Sequence, residues 1–159
     1  MSAVNKELSR RFTDLFSTGD EALADEVLSS EVVMHGSVPG GELDGRDAVK
    51  GFVATYRAAF PDNTSTVQQQ IAEGDTVVTR WCARGTHRGE FGSIPPTGRR
   101  YEINGVTIER IVDGRIAEVW AVWDGLELLS QLGMAPESTP ARREVGPQAA
   151  AVGSADMGR

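Results

Sequence analysis

Pro61 divides the chain into two hydrophobic regimes, and that division limits the fold more than any other feature of the sequence. Before it, apolar residues recur with helical spacing; after it, they alternate as the side chains of half-buried strands do. In VNKELSRRFTDLFSTGD, Leu8, Phe12, Leu15 and Phe16 fall on one helical face and Gly19 supplies a C-terminal stop. A shorter helix follows in DEALADEVL, with Leu23 and Val27 four residues apart. The β-branched residues of EVVMHGS cannot complete two helical turns before the glycine- and proline-bearing loop GSVPGGELDG, and predict a strand. Val49, Phe52, Val53, Tyr56 and Phe60 then form the clearest helical stripe, capped by Asp44 or Asp47 and ended by Pro61, which restricts the residue before it.

Beyond Pro61, NTSTVQQQIAEGDTVVTRWCARGTHRG predicts two strands turning near Glu73-Gly74-Asp75. YEINGVTIERIVDGRIAEVWAVWD predicts two more turning at Asp113-Gly114, a strong hairpin signal. The intervening EFGSIPPTGRR is a loop suited to covering a pocket mouth. GLELLSQLG predicts a last short helix with Leu126, Leu129 and Leu132 inward and Gly133 closing it. Three helices and one strand, then four antiparallel strands, predict an α+β fold whose strongly curved, mostly antiparallel sheet wraps the long third helix. Curled strongly, such a sheet is cone-shaped and leaves an apolar pocket beneath the helices. One domain is expected over residues 1–133. From Met134 to residue 159 the chain is rich in Ala, Gly, Pro and Ser without an aromatic residue, and predicts a disordered tail.

Two histidines and the single Cys82 leave no metal-ligand spacing and no internal disulfide, so chemistry without metal or cofactor is expected. Net charge is −7, with no basic cluster beyond the Arg-Arg pairs at 10/11, 99/100 and 142/143. Nucleic acid and anionic membranes are therefore poor partners. The absence of any run of about 18 apolar residues, and of an apolar signal region in MSAVNKELSRRF, predicts a cytoplasmic protein.

Alternation puts Glu118, Trp120, Val122 and Asp124 on one face of the last strand, Val106, Ile108 and Arg110 on one face of its predecessor, and Thr79, Trp81, Ala83 and, if the strand extends that far, His87 together on the strand before that. Both faces carry apolar residues, so alternation alone does not identify the pocket side. We take the faces bearing Trp81, Ile108 and Trp120 as its wall, joined by His35, Phe52 and Tyr56, because aromatic and aliphatic walls beside a few polar groups suit a small-molecule site. Asp124 then points inward and admits two roles. With Glu127 three positions on, it matches a capping box. Lined by Trp120 and Trp81, it is a partly desolvated proton acceptor. The roles exclude one another only if the carboxylate points away from the pocket. Arg110 either pairs with Glu118 across the strands or faces the cavity and holds an anionic oxygen. His87, where a strand meets the loop, and His35, at the end of the first strand, are either packing side chains or donors to the site, and Cys82 faces away from Trp81 as a small core residue.

The string RWCARGTHRGEFGSIPPTGRRYEINGVTIERIVDGRIAEVWAVWDGLELLSQLG carries G-T-H-x-G, P-P-T-G, D-G-x-I-x-E-x-W, W-x-x-x-D and Q-L-G in order. In this it resembles the SnoaL-like polyketide cyclase family of the nuclear-transport-factor-like superfamily, over residues 5–133 and most densely over 80–133. The resemblance implies a cone-shaped α+β barrel with a deep pocket, assembled as a homodimer or a higher homo-oligomer. It implies metal-free, intramolecular aldol ring closure of a hydrophobic polyketide-like ester, with the aspartate of W-x-x-x-D as acid/base. That position is Asp124. It would take a proton from a methylene between two carbonyls, while Arg110, His87 or His35 steadies the enolate. The chain departs from the pattern one strand earlier, where Ile108 and Arg110 stand in place of an inward polar pair including a histidine. The alternatives are an isomerase, dehydratase or epoxide hydrolase, which would need a second titratable group near Asp124, and a non-catalytic small-molecule-binding or dimerisation module.

Overall fold

A computed structural model describes residues 1–38 and 41–134; the tail expected from residue 134 lies outside the described residues except for Met134. In chain order the elements are α1 (Ser2–Thr18), α2 (Glu21–Val27), β1 (Leu28–Val38), β2 (Gly41–Asp44), α3 (Arg46–Ala59), β3 (Thr64–Glu73), β4 (Thr76–Thr86), β5 (Arg100–Val112), β6 (Arg115–Trp123) and α4 (Gly125–Gln131). The strands form one sheet in the order β2-β1-β6-β5-β4-β3. Only β1 and β6 run parallel; every other neighbouring pair is antiparallel. The sheet is open rather than a closed barrel, with β2 and β3 as its edges.

The change of period at Pro61 is the boundary between α3 and the β-rich half. Phe60 is the C-cap of α3, its N–H donating to Tyr56 O. At the other end the cap is Gly45 at φ 86°, with no side-chain cap from Asp44 or Asp47. Asp44 instead closes β2, a strand in a segment expected to be loop. It pairs with β1 through His35↔Glu42 and Met34↔Leu43. A four-residue edge strand whose one apolar side chain is Leu43 has no alternation for a sequence reading to detect. The Asp113-Gly114 hairpin forms as expected, both residues at positive φ (49° and 72°), which matches the twist of the flanking strands.

Helix α1 packs over β3 and β4, and α3 over β1 and β2. Their apolar stripes meet one face of the sheet and generate two buried clusters. Phe12, Leu15, Val27, Leu28, Val32, Val49, Val53 and Val119 belong to the larger. Tyr56, Phe60, Ala83, Tyr101, Ile103, Leu128 and Leu132 form the second, under α4. It is Leu128 and Leu132 that anchor α4, whereas Leu126 is 61% exposed, a one-position correction to the expected inward face. The segment between β4 and β5 is a loop, as expected. It folds against the end of α3, Arg88 and Gly89 donating to Ala59 O, with Phe91 packed on Phe60 at a ring separation of 5.2 Å. Among the described residues no helix is long and apolar enough to cross a membrane.

Candidate active site

The inter-strand register decides which side chains share a wall. Trp81 on β4 stands opposite Gly105 on β5, not opposite Ile108. A Cβ at position 105 would lie 2.2 Å from the Trp81 indole, so the glycine lets the ring lie flat across β5. From there the inward face of β5 is Tyr101, Ile103, Gly105, Thr107, Glu109 and Ile111. On β6 it is Val119, Ala121 and Trp123, because a bulge pairs Ile111 with Ile116 but Arg110 with Glu118 and leaves Ala117 as the extra residue.

Between this face and the helices lies a small cavity of about 70 Å³, open to solvent at its mouth. Phe12, Thr13 and Phe16 of α1, Phe52 and Tyr56 of α3, and Trp81, Ile103, Thr107 and Trp123 of the sheet make up most of its wall. The lining is overwhelmingly apolar, and its polar side chains are the hydroxyls of Thr13, Tyr56, Ser65 and Thr107 with the indoles of Trp81 and Trp123. Thr13 donates back to Ser9 O at 3.2 Å. Tyr56 meets Tyr101 at 2.9 Å, and Tyr101 in turn donates to Asn63 Oδ1 at 2.5 Å. Burial pushes the Tyr56 phenol up to about 12, against the opposing effect of the Tyr101 hydrogen bond, so it stays neutral.

Behind Thr107 sits a fully buried carboxyl group. Glu109 Oε1 accepts from Thr107 Oγ1 at 2.5 Å, and Oε2 accepts from Ser9 Oγ at 3.1 Å. Burial pushes this acid up to about 7, although hydrogen bonds from Thr107, Ser9 and Thr79 pull the other way. A carboxyl that changes charge near neutrality beside an apolar cavity is the pattern expected of an acid/base site.

The residues singled out from the sequence separate into two groups. Phe52, Tyr56 and Trp81 stand together in the cavity wall. Ile108, Trp120, Arg110 and His35 lie on the opposite face of the sheet, which corrects the expected pocket side: Ile108 is 38% and Trp120 39% exposed. There His35 stacks on Trp120 with ring centroids 5.4 Å apart. His35 Nε2 and Arg110 Nη2 reach the two oxygens of Glu118, at 2.9 and 3.0 Å. Arg110 thus takes the cross-strand pairing. Asp124 is exposed and is the N-cap of α4, accepting from Glu127 N at 2.8 Å, and it is not among the residues that line the cavity. His87 is buried but outside the wall: its Nδ1 accepts from Thr97 N at 3.2 Å and its ring lies 5.4 Å from Phe60, pinning the loop after β4.

Thr107, Glu109, Ser9 and Thr13 were not among the sequence candidates. One signal for the first two was present. Gly105, with no side chain of its own, invites the Trp81 indole opposite it, and that register turns Thr107 and Glu109 inward. The charge of Glu109 disguised this, since the Val106 and Ile108 face of the same strand looks more apolar.

A family model described as SnoaL-like polyketide cyclase matches residues 6–132. The aklanonic acid methyl ester cyclase DnrD of Streptomyces peucetius is 29% identical over 136 residues, covering 84% of this chain and 93% of that protein. The nogalonic acid methyl ester cyclase of Streptomyces nogalater is 31% identical over 121 residues, covering 74% of this chain and 89% of that protein. Among solved structures, wild-type IdmH from Streptomyces antibioticus superposes with a TM-score of 0.71 at 36% identity, over 81% of this chain and 98% of that one. With a matching family model that spans the sheet, the helices and the cavity between them, the chain belongs to the SnoaL-like polyketide cyclase family.

Proposed function

We propose that the cavity binds a polyketide-derived ester and closes a ring in it by intramolecular aldol addition. The observation that carries this is the cavity itself: an apolar hollow walled by Phe16, Phe52, Tyr56, Trp81 and Trp123, aromatic surfaces suited to a flat apolar molecule, in a chain of this family. Two relatives of about 30% identity, named as methyl ester cyclases, support the ester class. An intramolecular aldol addition needs no redox partner. Its reacting methylene is activated by the substrate's own carbonyls, so the protein has to fold the chain into an attack geometry and move one proton. Asp124 is left out of this proposal because its carboxylate is engaged at the start of α4.

A second reading rests on a specific observation: among the described residues that line the cavity only Tyr56 is ionisable, as in a protein that binds a small molecule without converting it. One experiment separates the two. The full chain is mixed with aklanonic or nogalonic acid methyl ester, binding is followed by tryptophan fluorescence and product by liquid chromatography. Ring-closed product formed faster than in buffer is the expected result. Binding without product selects the second reading, and absence of both rejects the cavity as a site for these esters.

We also propose that the protein is a homodimer joined through the outer face of the sheet. Val78, Ile108 and Trp120 are neighbours across three strands there, flanked by the Val106 and Val122 pair, and Val122 is 74% exposed. An apolar patch of this kind on a sheet whose other face already holds the core is a surface for association.

A further inference from the structure

A proton leaving a substrate carbon in this cavity meets no carboxylate or imidazole among the described residues of the wall. Among the lining hydroxyls, Thr13 is engaged with its own helix, Tyr56 with Tyr101, and Ser65 with the Asn63 amide at 3.2 Å. Thr107 differs from them in touching an ionisable group, Glu109.

Groups that can only donate or only accept set the direction of this network. The Gln70 amide nitrogen donates to Lys6 O at 3.0 Å and to Thr79 Oγ1 at 3.2 Å. Thr79 then donates to Ser9 Oγ at 2.6 Å, and Ser9 donates to Glu109 Oε2 at 3.1 Å. With Oε2 occupied as an acceptor, a proton arriving at Glu109 resides on Oε1, the oxygen that faces Thr107. Two discrete arrangements follow. When Glu109 is ionised, Thr107 donates to Oε1 and turns a lone pair to the cavity. When Glu109 is protonated, its O–H donates to Thr107 Oγ1 and the Thr107 proton is free to point at the substrate.

We propose that Thr107 and Glu109 form the proton relay of the ring closure, Thr107 meeting the substrate and Glu109 acting behind it as the positioning residue that stores the proton. This rests on the aldol reading of the cavity. The substrate C–H bond breaks, its proton passes to Thr107 Oγ1 while the Thr107 proton moves to Glu109 Oε1, and the C–H electron pair becomes the enolate. The enolate carbon bonds to the second carbonyl carbon, whose π pair moves onto its oxygen. That alkoxide takes a proton from Thr107, which regains one from Glu109, so protons and electrons balance without a co-reactant. The groups facing Glu109 are Ser9 from α1, Val77 and Thr79 from β4, Thr107 on its own strand and Val119 from β6; none is ionisable. Its carboxyl, pushed up by burial to about 7, is therefore available in both forms near neutral pH.

The test compares the unmodified full chain with Glu109→Gln, Thr107→Val and Thr107→Ser, using aklanonic acid methyl ester in deuterated buffer. NMR reads deuterium entry at the acidic methylene and formation of ring-closed product; fluorescence reads ester binding. The unmodified chain should exchange the methylene faster than buffer, with a rate rising through about pH 7, set by Glu109. Glu109→Gln and Thr107→Val should lower exchange and closure together by about 10²- to 10⁴-fold with binding within a few-fold, and Thr107→Ser should restore most of both. The pH inflection should vanish in Glu109→Gln. Wild-type exchange in either Glu109→Gln or Thr107→Val overturns the relay, as does absence of exchange in the unmodified chain. Exchange without closure in the unmodified chain, lost in both variants, defeats the aldol reading while the relay stands. Closure untouched by the variants does the reverse.

Discussion

Glu109 is a carboxyl group with hydroxyl partners and, among the described residues, no counter-ion, and its burial has a consequence for stability as well as chemistry. An acid lifted from 4.5 to about 7 keeps its proton in the folded chain over a range where the unfolded chain has lost it. The folded state binds more protons there, so stability falls as pH rises from about 4.5 to about 7 and stays lower above it. Glu109→Gln removes that loss. Relative to the unmodified protein, it should gain up to about 3 kcal/mol on going from pH 4.5 to pH 8, read by urea unfolding at both values. A difference that does not change with pH would mean the carboxyl is solvated. The same variant is expected to lose turnover, so inactivity could not be put down to unfolding. Little of this was legible beforehand. Alternation placed Thr79, Trp81 and Ala83 on a common face, which the structure keeps, but pairing between strands is a separate variable that alternation does not constrain. Phe52, Tyr56 and Trp81 reach the wall because each follows from a pattern within its own element. Ile108 and Trp120 depended on the register across elements, and they lie outside.

At the scale of elements, Asp124 shows how a strand-to-helix junction creates ambiguity. A strand of odd and even faces ends at Trp123, and the next residue takes cap geometry rather than continuing the alternation, with φ −84° and ψ 80°. Extrapolating the strand by one residue put the carboxylate on the face of Trp120; the cap turns it to Glu127 N instead. Asp124→Ala should therefore cost about 1 kcal/mol of stability, the usual effect of losing a capping side chain, and leave cyclisation of the ester unchanged. A 10²-fold fall in turnover with unaltered melting would restore Asp124 to the chemistry. The helix behind it is short and held mainly by Leu128 and Leu132, so the cap is a sizeable part of what fixes its start. Elements with a full period were easier to recognise than their ends. Both hairpins and the α3 stripe needed only their own residues, whereas β2, the Gly45 cap and the bulge at Ala117 are set by how one strand registers on the next.

On the scale of the whole molecule, the helices cover one face of the sheet and leave the other to solvent or to a partner. The centre of that outer face is apolar, and its border carries His35, Glu42, Glu118 and Arg110. His35 is hydrogen-bonded at both ring nitrogens, to Glu42 at 3.0 Å and to Glu118 at 2.9 Å, an arrangement that requires the doubly protonated ring. Its pKa is accordingly raised, foremost by Glu118, and that of Glu118 is lowered, foremost by His35. The His35 contribution is present below its unfolded value of 6.5 and fades as pH rises through the raised one; the Glu118 contribution is present above 4.5 and fades as pH falls through the lowered one. The border next to Trp120 is thus best ordered in mildly acidic solution, and a dimer built on this face should be tightest there. If the proposed dimer forms through this face, Trp120→Asp or Val122→Lys should leave a monomer in light scattering, while ester binding in the cavity on the opposite face stays within a few-fold. His35→Gln should leave a dimer whose dissociation no longer increases between pH 6 and pH 8. A Trp120→Asp protein of unchanged mass would mean that the outer face is not where copies of this chain meet.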